Sequence, residues 1–208
     1  MKRYPIITVS RQYGSGGHDI AKALADRLGI PYYDGELIDM ASKDSGIPAQ
    51  LFHEAEDTAT NAFSFALKSM GTGGPYGVPL NNQLFLIQSE FIRSIADKES
   101  AVIVGRCADY VLEDYAPTLK IFISADFDAR VKRTMEMENR TQDDAEKMVK
   151  RKDKARATYY GFYTDRRWGD LNNYDLVINS SVIGIERAVD LLEFYVKKSL
   201  PEAVDVEG

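Results

Sequence analysis

One cysteine, Cys107, is all that the 208 residues contain, which excludes an intramolecular disulfide and suits a reducing compartment. The two histidines, His18 and His53, stand apart with no Cys/His cluster, so no structural zinc site is expected. Neither a Ser-His-Asp nor a Cys-His arrangement is present, and Cys107 reads as a small packed residue rather than a nucleophile. No apolar run approaches the roughly 18 residues of a membrane span. The opening Met-Lys-Arg-Tyr-Pro leads straight into an apolar strand without a signal-peptide core, so a cytoplasmic location is the expectation. An excess of basic residues is also missing. At a net charge of −6, nothing global points to DNA or to an anionic membrane surface. No internal repeat or low-complexity tract is visible.

What is present is an ordinary globular composition, 44% hydrophobic and 28% charged, in a chain long enough for one full-sized core. The organising stretch is residues 6–21, IITVSRQYGSGGHDIA: a β-branched run, a glycine cluster, then an apolar-periodic helix. Residues 6–9 read as a buried strand, and the helix from Asp19 ends at Gly29, with Pro31 as a stop signal. Tyr32-Tyr33 makes a short second strand ending at Asp34. Helices are expected at about 36–43, 49–67 and 83–97, with a mobile loop at 70–82 that holds four glycines and two prolines. Residues 101–104 form an apolar strand followed at once by Gly105-Arg106, and 119–123 another. A helix follows at 126–139. Thr141 reads as an N-cap, with Asp144 three residues on, opening a charged helix to about residue 158. Residues 159–170 read as irregular, 176–178 as the last strand, and 183–198 as the closing helix. Strands alternate with helices throughout. The expected architecture is therefore α/β, three layers, with a mainly parallel sheet covered on both faces. Ligands in such sheets bind at the carboxyl ends of the strands.

Gly14, Ser15, Gly16 and Gly17 ahead of a helix place several backbone N–H groups around one concavity at the positive end of a helix dipole, where phosphate fits. The pattern G-x-x-x-x-G-K-[ST] is not satisfied. Gly17 stands where the lysine would be, His18 takes the next position, and Asp19 stands where the magnesium-binding Ser or Thr would be. Asp19 could bind Mg²⁺ with changed geometry or serve only as a helix N-terminal carboxylate. Arg11, at the loop entrance, or Lys22, one turn on, are the two nearby cations that could replace the lysine. Arg106, at the end of a buried strand, either meets a phosphate or pairs with Asp34 or Asp109. Residues 150–156 pack five basic side chains, Lys150, Arg151, Lys152, Lys154 and Arg156, around Asp153. Positions 150, 153 and 156 share one helix face. Such a face suits a lid over transferring phosphates, with Asp153 orienting Arg156; the alternative is a solvated charged helix. The aromatic residues just beyond favour function. Nucleic acid is not the expected partner, because the rest of the chain is acidic.

The blocks SRQYGSGG, LGIPYYDGELI, VIVGRCADYVL, IFISADFDARVKR, KDKARATYYGFYTDRRWGD and YDLVINSS, in that order, resemble the cytidylate kinase-like family over nearly the whole chain. The resemblance implies a P-loop nucleoside monophosphate kinase fold spanning residues 1–200. An acceptor-binding helical segment at about 35–98 and a lid at about 139–170 belong to that fold, and 201–208 are a fraying tail. It implies ATP and Mg²⁺, transfer of the γ-phosphoryl group to a nucleoside monophosphate such as CMP or dCMP, and small-molecule nucleotides as partners. Carried over by position, Arg11 and Gly14 through Asp19 hold the ATP phosphates, and Asp19 is the metal candidate. Asp34, Arg106, Lys150 and Arg151 face the acceptor, while Arg106, Asp153 and Arg156 act in catalysis. The aspartate that follows the arginine in cytidylate kinases is Cys107 here. A homodimer stays open, since Phe52, Phe63 and Phe65 of the 49–67 helix pack either inside the domain or on a second subunit.

Overall fold

The computed structural model describes residues 4–57, 80–115 and 117–199. Five parallel strands form its sheet: β1 Ile6–Arg11, β2 Tyr32–Tyr33, β3 Val102–Val104, β4 Thr118–Ser124 and β5 Leu176–Asn179, in the order β2-β3-β1-β4-β5. β1 is central and pairs with β3 (Thr8 opposite Ile103) and with β4 (Val9 opposite Ile121). A central strand covered on both faces must be apolar on both, and Ile6, Ile7, Thr8 and Val9 are all buried. The alternation of side chains then separates two cores. Ile7 and Val9 pack with helices α1 (Gly17–Leu28) and α9 (Ile185–Lys198), whereas Ile6 and Ile103 pack with α4 (Leu80–Lys98) and α5 (Ala108–Val111). The remaining helices are α2 (Glu36–Ser45), α3 (Ala49–Asp57), α6 (Phe127–Glu138), α7 (Gln142–Thr164) and α8 (Ser180–Ile183). This is the three-layer α/β architecture that the strand–helix alternation leads one to expect. No helix among the described residues is long and apolar enough to cross a membrane.

α1 shows how closely local sequence sets the elements. Ile20, Ala21, Leu24, Ala25 and Leu28 recur on one face and are buried, and Gly29, with φ of 63°, closes the helix by donating its amide to the carbonyls of Ala25 and Asp26. Thr141 caps α7 as expected, accepting from the Asp144 amide.

Two boundaries differ from the sequence reading, and one open alternative is decided. Residues 159–164 are helical, not irregular, because α7 continues to Thr164. Its aromatic residues supply packing that outweighs their modest helix propensity: Tyr159 and Tyr163 lie against Phe85, the Tyr163 and Phe85 rings stacked with centroids 4.0 Å apart. Leu80, Asn81 and Asn82, expected in the glycine-rich loop, open α4 instead, and Asn81 gives its carbonyl to the Tyr163 hydroxyl at 2.9 Å. Phe52 is fully buried among Ile38, Ala41 and Leu84, so it belongs to the core of the chain rather than to a subunit face. Phe63, Phe65 and residues 70–79 lie outside the described residues.

Candidate phosphate-transfer site

The site is built on the carboxyl ends of β1 and β3. After Arg11 the chain turns through Gly14 and Gly16, both at positive φ (75° and 76°), into α1. Side chains hold the turn from within: Ser15 Oγ donates to the Gln12 carbonyl at 2.8 Å and accepts from the Gly17 amide at 3.3 Å. From outside, Ser180 Oγ donates to the Ser15 carbonyl at 2.5 Å, and Gln12 Oε1 accepts from the Ala125 amide at 3.1 Å. Among the described residues no backbone partner takes the amides of His18 and Asp19, the helix-start donors that would face an anion. The concavity in front of them is lined by the loop glycines and by Arg11, Arg133 and Arg156, with Asp19 the one carboxylate among the described residues on its wall. Backbone dipole and side-chain charge agree here, and both favour phosphate.

A second cavity, of about 130 Å³, opens beside the first, at the end of β3. Arg11, Arg106, Lys152 and Arg156 line it, and no carboxylate is among the described residues on its wall. Tyr159, Tyr160 and Trp168 close its other side. Arg106 reaches it through an unusual turn: Gly105, Arg106 and Cys107 adopt φ of 72°, 59° and 54° in succession. Left-handed backbone at a non-glycine residue costs roughly 1–2 kcal/mol. Here the surrounding bonds impose it, with the Gly105 amide on the Val9 carbonyl and the Ala108 amide on the Gly105 carbonyl, each at 3.0 Å. The strained turn carries the Arg106 side chain to the wall of the cation-lined cavity. Arg11 and Arg156 line both cavities, so the same two guanidinium groups face each of them.

Asp34 sits at the end of β2, next to this cationic group. Arg11 Nη2 lies 3.5 Å from Asp34 Oδ1, and His18 Nδ1 lies 2.9 Å from Oδ2. Burial alone would raise the Asp34 pKa; Arg11, the His18 hydrogen bond and Arg106 outweigh it and leave the carboxyl below its ordinary value. A carboxylate held this acidic is a poor proton acceptor and a good anchor for cations. Asp109 is the opposite case. It is 3% exposed, burial pushes its pKa up, and Tyr160 donates to it at 2.7 Å. It supports Tyr160 from behind, on the wall of the second cavity.

The structure brings Arg11, Arg106 and Arg156 together as the sequence suggests, and Asp34 with Arg11. It places other expected residues differently. Asp153 does not orient Arg156: it accepts from the Tyr13 amide at 2.8 Å and pairs with the buried Arg130, while Arg156 Nη1 donates to the Arg11 carbonyl at 3.0 Å. Lys150 turns to Glu146 at 3.6 Å and lies over the Phe127 ring, and Arg151 is exposed. The cavity is reached instead by Lys152, one turn before Arg156. Lys22 is tied to Asp26 at 2.6 Å and does not line either cavity. Asp19 forms an ion pair with Arg133. Arg130 and Arg133 were not singled out from the sequence. Their signal was the pair of arginines three apart in DARVKR, which a helix sets on one side, toward the loop.

Among the described residues no three His, Cys, Asp or Glu side chains converge as a metal cage. That fits Mg²⁺ in a phosphate site, where one or two carboxylates, water and substrate phosphate oxygens suffice. The two carboxylates beside the loop are both engaged by cations in this arrangement, Asp19 by Arg133 and Asp34 by Arg11 and His18, so either would have to exchange its partner to take up the ion.

Comparison with known proteins agrees with this geometry. The model of the cytidylate kinase-like family matches residues 6–182. A cytidylate kinase of Methanococcus vannielii is 29% identical over 197 residues, covering 92% of this chain and 99% of that one. One of Haloarcula marismortui is 26% identical over 179 residues, covering 85% of this chain and 81% of the other. An uncharacterized protein of Eubacterium ventriosum of known structure superposes with a TM-score of 0.71 at 32% identity, over 93% of this chain and 98% of that one. A shikimate kinase of Bacteroides thetaiotaomicron, 16% identical, gives 0.54 over 93% and 98% and shows the fold alone. With its loop, sheet order and matched span taken together, the chain belongs to the cytidylate kinase-like family.

Proposed function

We propose that the protein transfers the γ-phosphoryl group of ATP to a nucleoside monophosphate, with CMP or dCMP the preferred acceptor. The observation that carries this reading is that Arg11 and Arg156 line both cavities. A phosphoryl group passing from the loop concavity to the cavity of Arg106 and Lys152 stays against guanidinium groups throughout. The acceptor preference is supported by the family and by relatives that are cytidylate kinases.

In the transfer, an oxygen of the acceptor phosphate bonds to the γ-phosphorus while the bond to the β,γ-bridging oxygen breaks, and ADP leaves with that electron pair. The attacking oxygen is already anionic near neutral pH, so no general base is required. The chain's work is positioning and charge stabilisation. The amides of His18 and Asp19 and the side chains of Arg11 and Arg133 hold donor phosphates, Arg106 and Lys152 hold the acceptor phosphate, and Arg156 spans the two. Asp34, ionised, fixes Arg11 and His18. Mg²⁺ would neutralise charge between the donor phosphates. Residues 35–98 serve as the acceptor-binding segment and 139–170 as the lid.

ADP release coupled to a reporter reaction, measured with CMP, dCMP, UMP, AMP and GMP, tests the reading. Turnover dependent on CMP or dCMP is the expected result. Turnover with none of the five would refute the proposed activity, and nucleotide binding by calorimetry without turnover would then favour a sensor or interaction role.

A further inference from the structure

The loop departs from the P-loop pattern at its first glycine, at its lysine and at its Ser/Thr, and the structure relates the first two. In G-x-x-x-x-G-K the first glycine falls at Arg11 and the lysine at Gly17, so glycine and cation stand in each other's places. The exchange has a steric reason. A Cβ built on Gly17 would lie 2.5 Å from Arg11 Cβ, 3.0 Å from its Cγ and 3.2 Å from Ile123 Cβ. A side chain at residue 17 and the Arg11 stem therefore cannot both fit. The head of Arg11 is accommodated in the same way: a Cβ on Gly105 would meet its Nη1. Arg11 thus lies in a channel between two glycines, its stem over the start of α1 and its head at the end of β3.

We infer that Arg11 is the loop's phosphate cation, taking over from the opposite side of the turn the charge that a lysine at residue 17 supplies in the ordinary pattern, and that Gly17 is glycine in order to admit it. This rests on the proposed phosphate-transfer reading and assigns a specific residue within it. Three further observations support it. Arg11 lines both cavities from the end of β1, where the chain enters the loop. Its side chain is 19% exposed and is held by Asp34, so its position is fixed before a nucleotide binds. The other nearby candidate, Lys22, is 51% exposed and engaged with Asp26. The placement also changes the chemistry. A lysine rising from the helix start meets only donor phosphates, whereas Arg11, anchored through Asp34, faces donor and acceptor at once and offers a planar fork to two oxygens.

The test is a swap. Arg11→Gly, Gly17→Lys and the double variant Arg11→Gly/Gly17→Lys are compared with wild type and with Lys22→Ala as control. Turnover with CMP is measured, together with calorimetric affinities for ATP and AMP. Loss of Arg11 should lower kcat about 100-fold and reduce the preference for ATP over AMP about 10-fold, measured well below the thermal midpoint of the variant so that the lost Asp34 pairing does not enter the comparison. Gly17→Lys alone should be inactive or poorly folded. The double variant should regain about 10-fold or more over Arg11→Gly in kcat or in ATP preference, and Lys22→Ala should match wild type. Arg11→Gly within about 3-fold of wild type in both readouts, or a double variant no better than Arg11→Gly, overturns the inference. If wild type shows no turnover with any acceptor, the kinase reading fails separately. The exchange is then judged on the ATP-over-AMP preference alone, and a wild type binding neither nucleotide overturns both.

Discussion

The carboxylate of Asp153 accepts a hydrogen bond from the backbone amide of Tyr13 at 2.8 Å, across 140 residues of chain. Its other oxygen pairs with Arg130, whose Nη1 also donates to the Tyr13 carbonyl at 3.3 Å. One residue of α7 and one of α6 thus clamp both polar groups of a single loop peptide position. α7 is fastened to the phosphate loop by Asp153 and, through the Arg11 carbonyl, by Arg156.

Asp153→Ala removes this clamp and leaves the buried Arg130 charge without its carboxylate. Breaking a buried pair from one side costs about 3 kcal/mol, so denaturant unfolding should show a loss of that order. The KM for ATP should rise more than the KM for the acceptor, because the loop is what loosens. An unchanged midpoint in urea would show that the clamp carries no stability.

Arg106 allows charge and backbone to be separated. Arg106→Gly relieves the left-handed strain at φ 59° and should stabilise the fold by about 1 kcal/mol relative to Arg106→Ala. Both variants should lose about 100-fold in kcat/KM for the acceptor, since neither keeps the guanidinium. Thermal unfolding with steady-state kinetics on the two proteins checks it.

The two perturbed carboxyls beside the site, Asp34 and Asp109, respond oppositely to pH. Asp34 has a folded pKa below its ordinary 3.8, so its ionised contribution is present above that value and lost only as pH falls through the lower folded value. The acid limb of the activity profile above about pH 5 therefore does not come from Asp34. A carboxyl resonance of Asp34, followed by carbon NMR, should titrate below 3.8. Titration above that value would contradict the assigned role.

Asp109 has a raised folded pKa, so its contribution to stability is full at low pH and is lost as pH rises through the folded value. Asp109→Asn keeps an acceptor for the Tyr160 hydroxyl without the buried charge. It should raise the thermal midpoint by a few degrees at neutral pH, with the advantage disappearing in acid. Differential scanning calorimetry at several pH values reads both.

The sequence made legible whatever short-range chemistry decides. Gly29 ends α1 because a left-handed cap needs little else, Thr141 starts α7 through its own hydroxyl, and the buried run 6–9 marks the central strand. Arg11, Arg106 and Arg156 could be picked out because charge at strand ends and in a helix beside the loop has few other uses. What depended on tertiary contacts was not legible. Helical period puts residues 150, 153 and 156 on one face, yet Lys150 finds Glu146 and Phe127 nearby, and Lys152 is the side chain that reaches the cavity. The helix runs through Tyr159 and Tyr160 because they have Phe85 and Asp109 to meet. Two successive left-handed non-glycine residues at 106 and 107 follow from no local rule, and the steric tie between Arg11 and Gly17 appears only once the turn is built.

The most direct measurement is phosphorus NMR of the protein with equimolar ATP, CMP and Mg²⁺. Transfer between the two cavities predicts CDP and ADP growing in equal amounts, with no inorganic phosphate beyond background. ADP with inorganic phosphate and no CDP, or a spectrum that stays unchanged, would contradict the account.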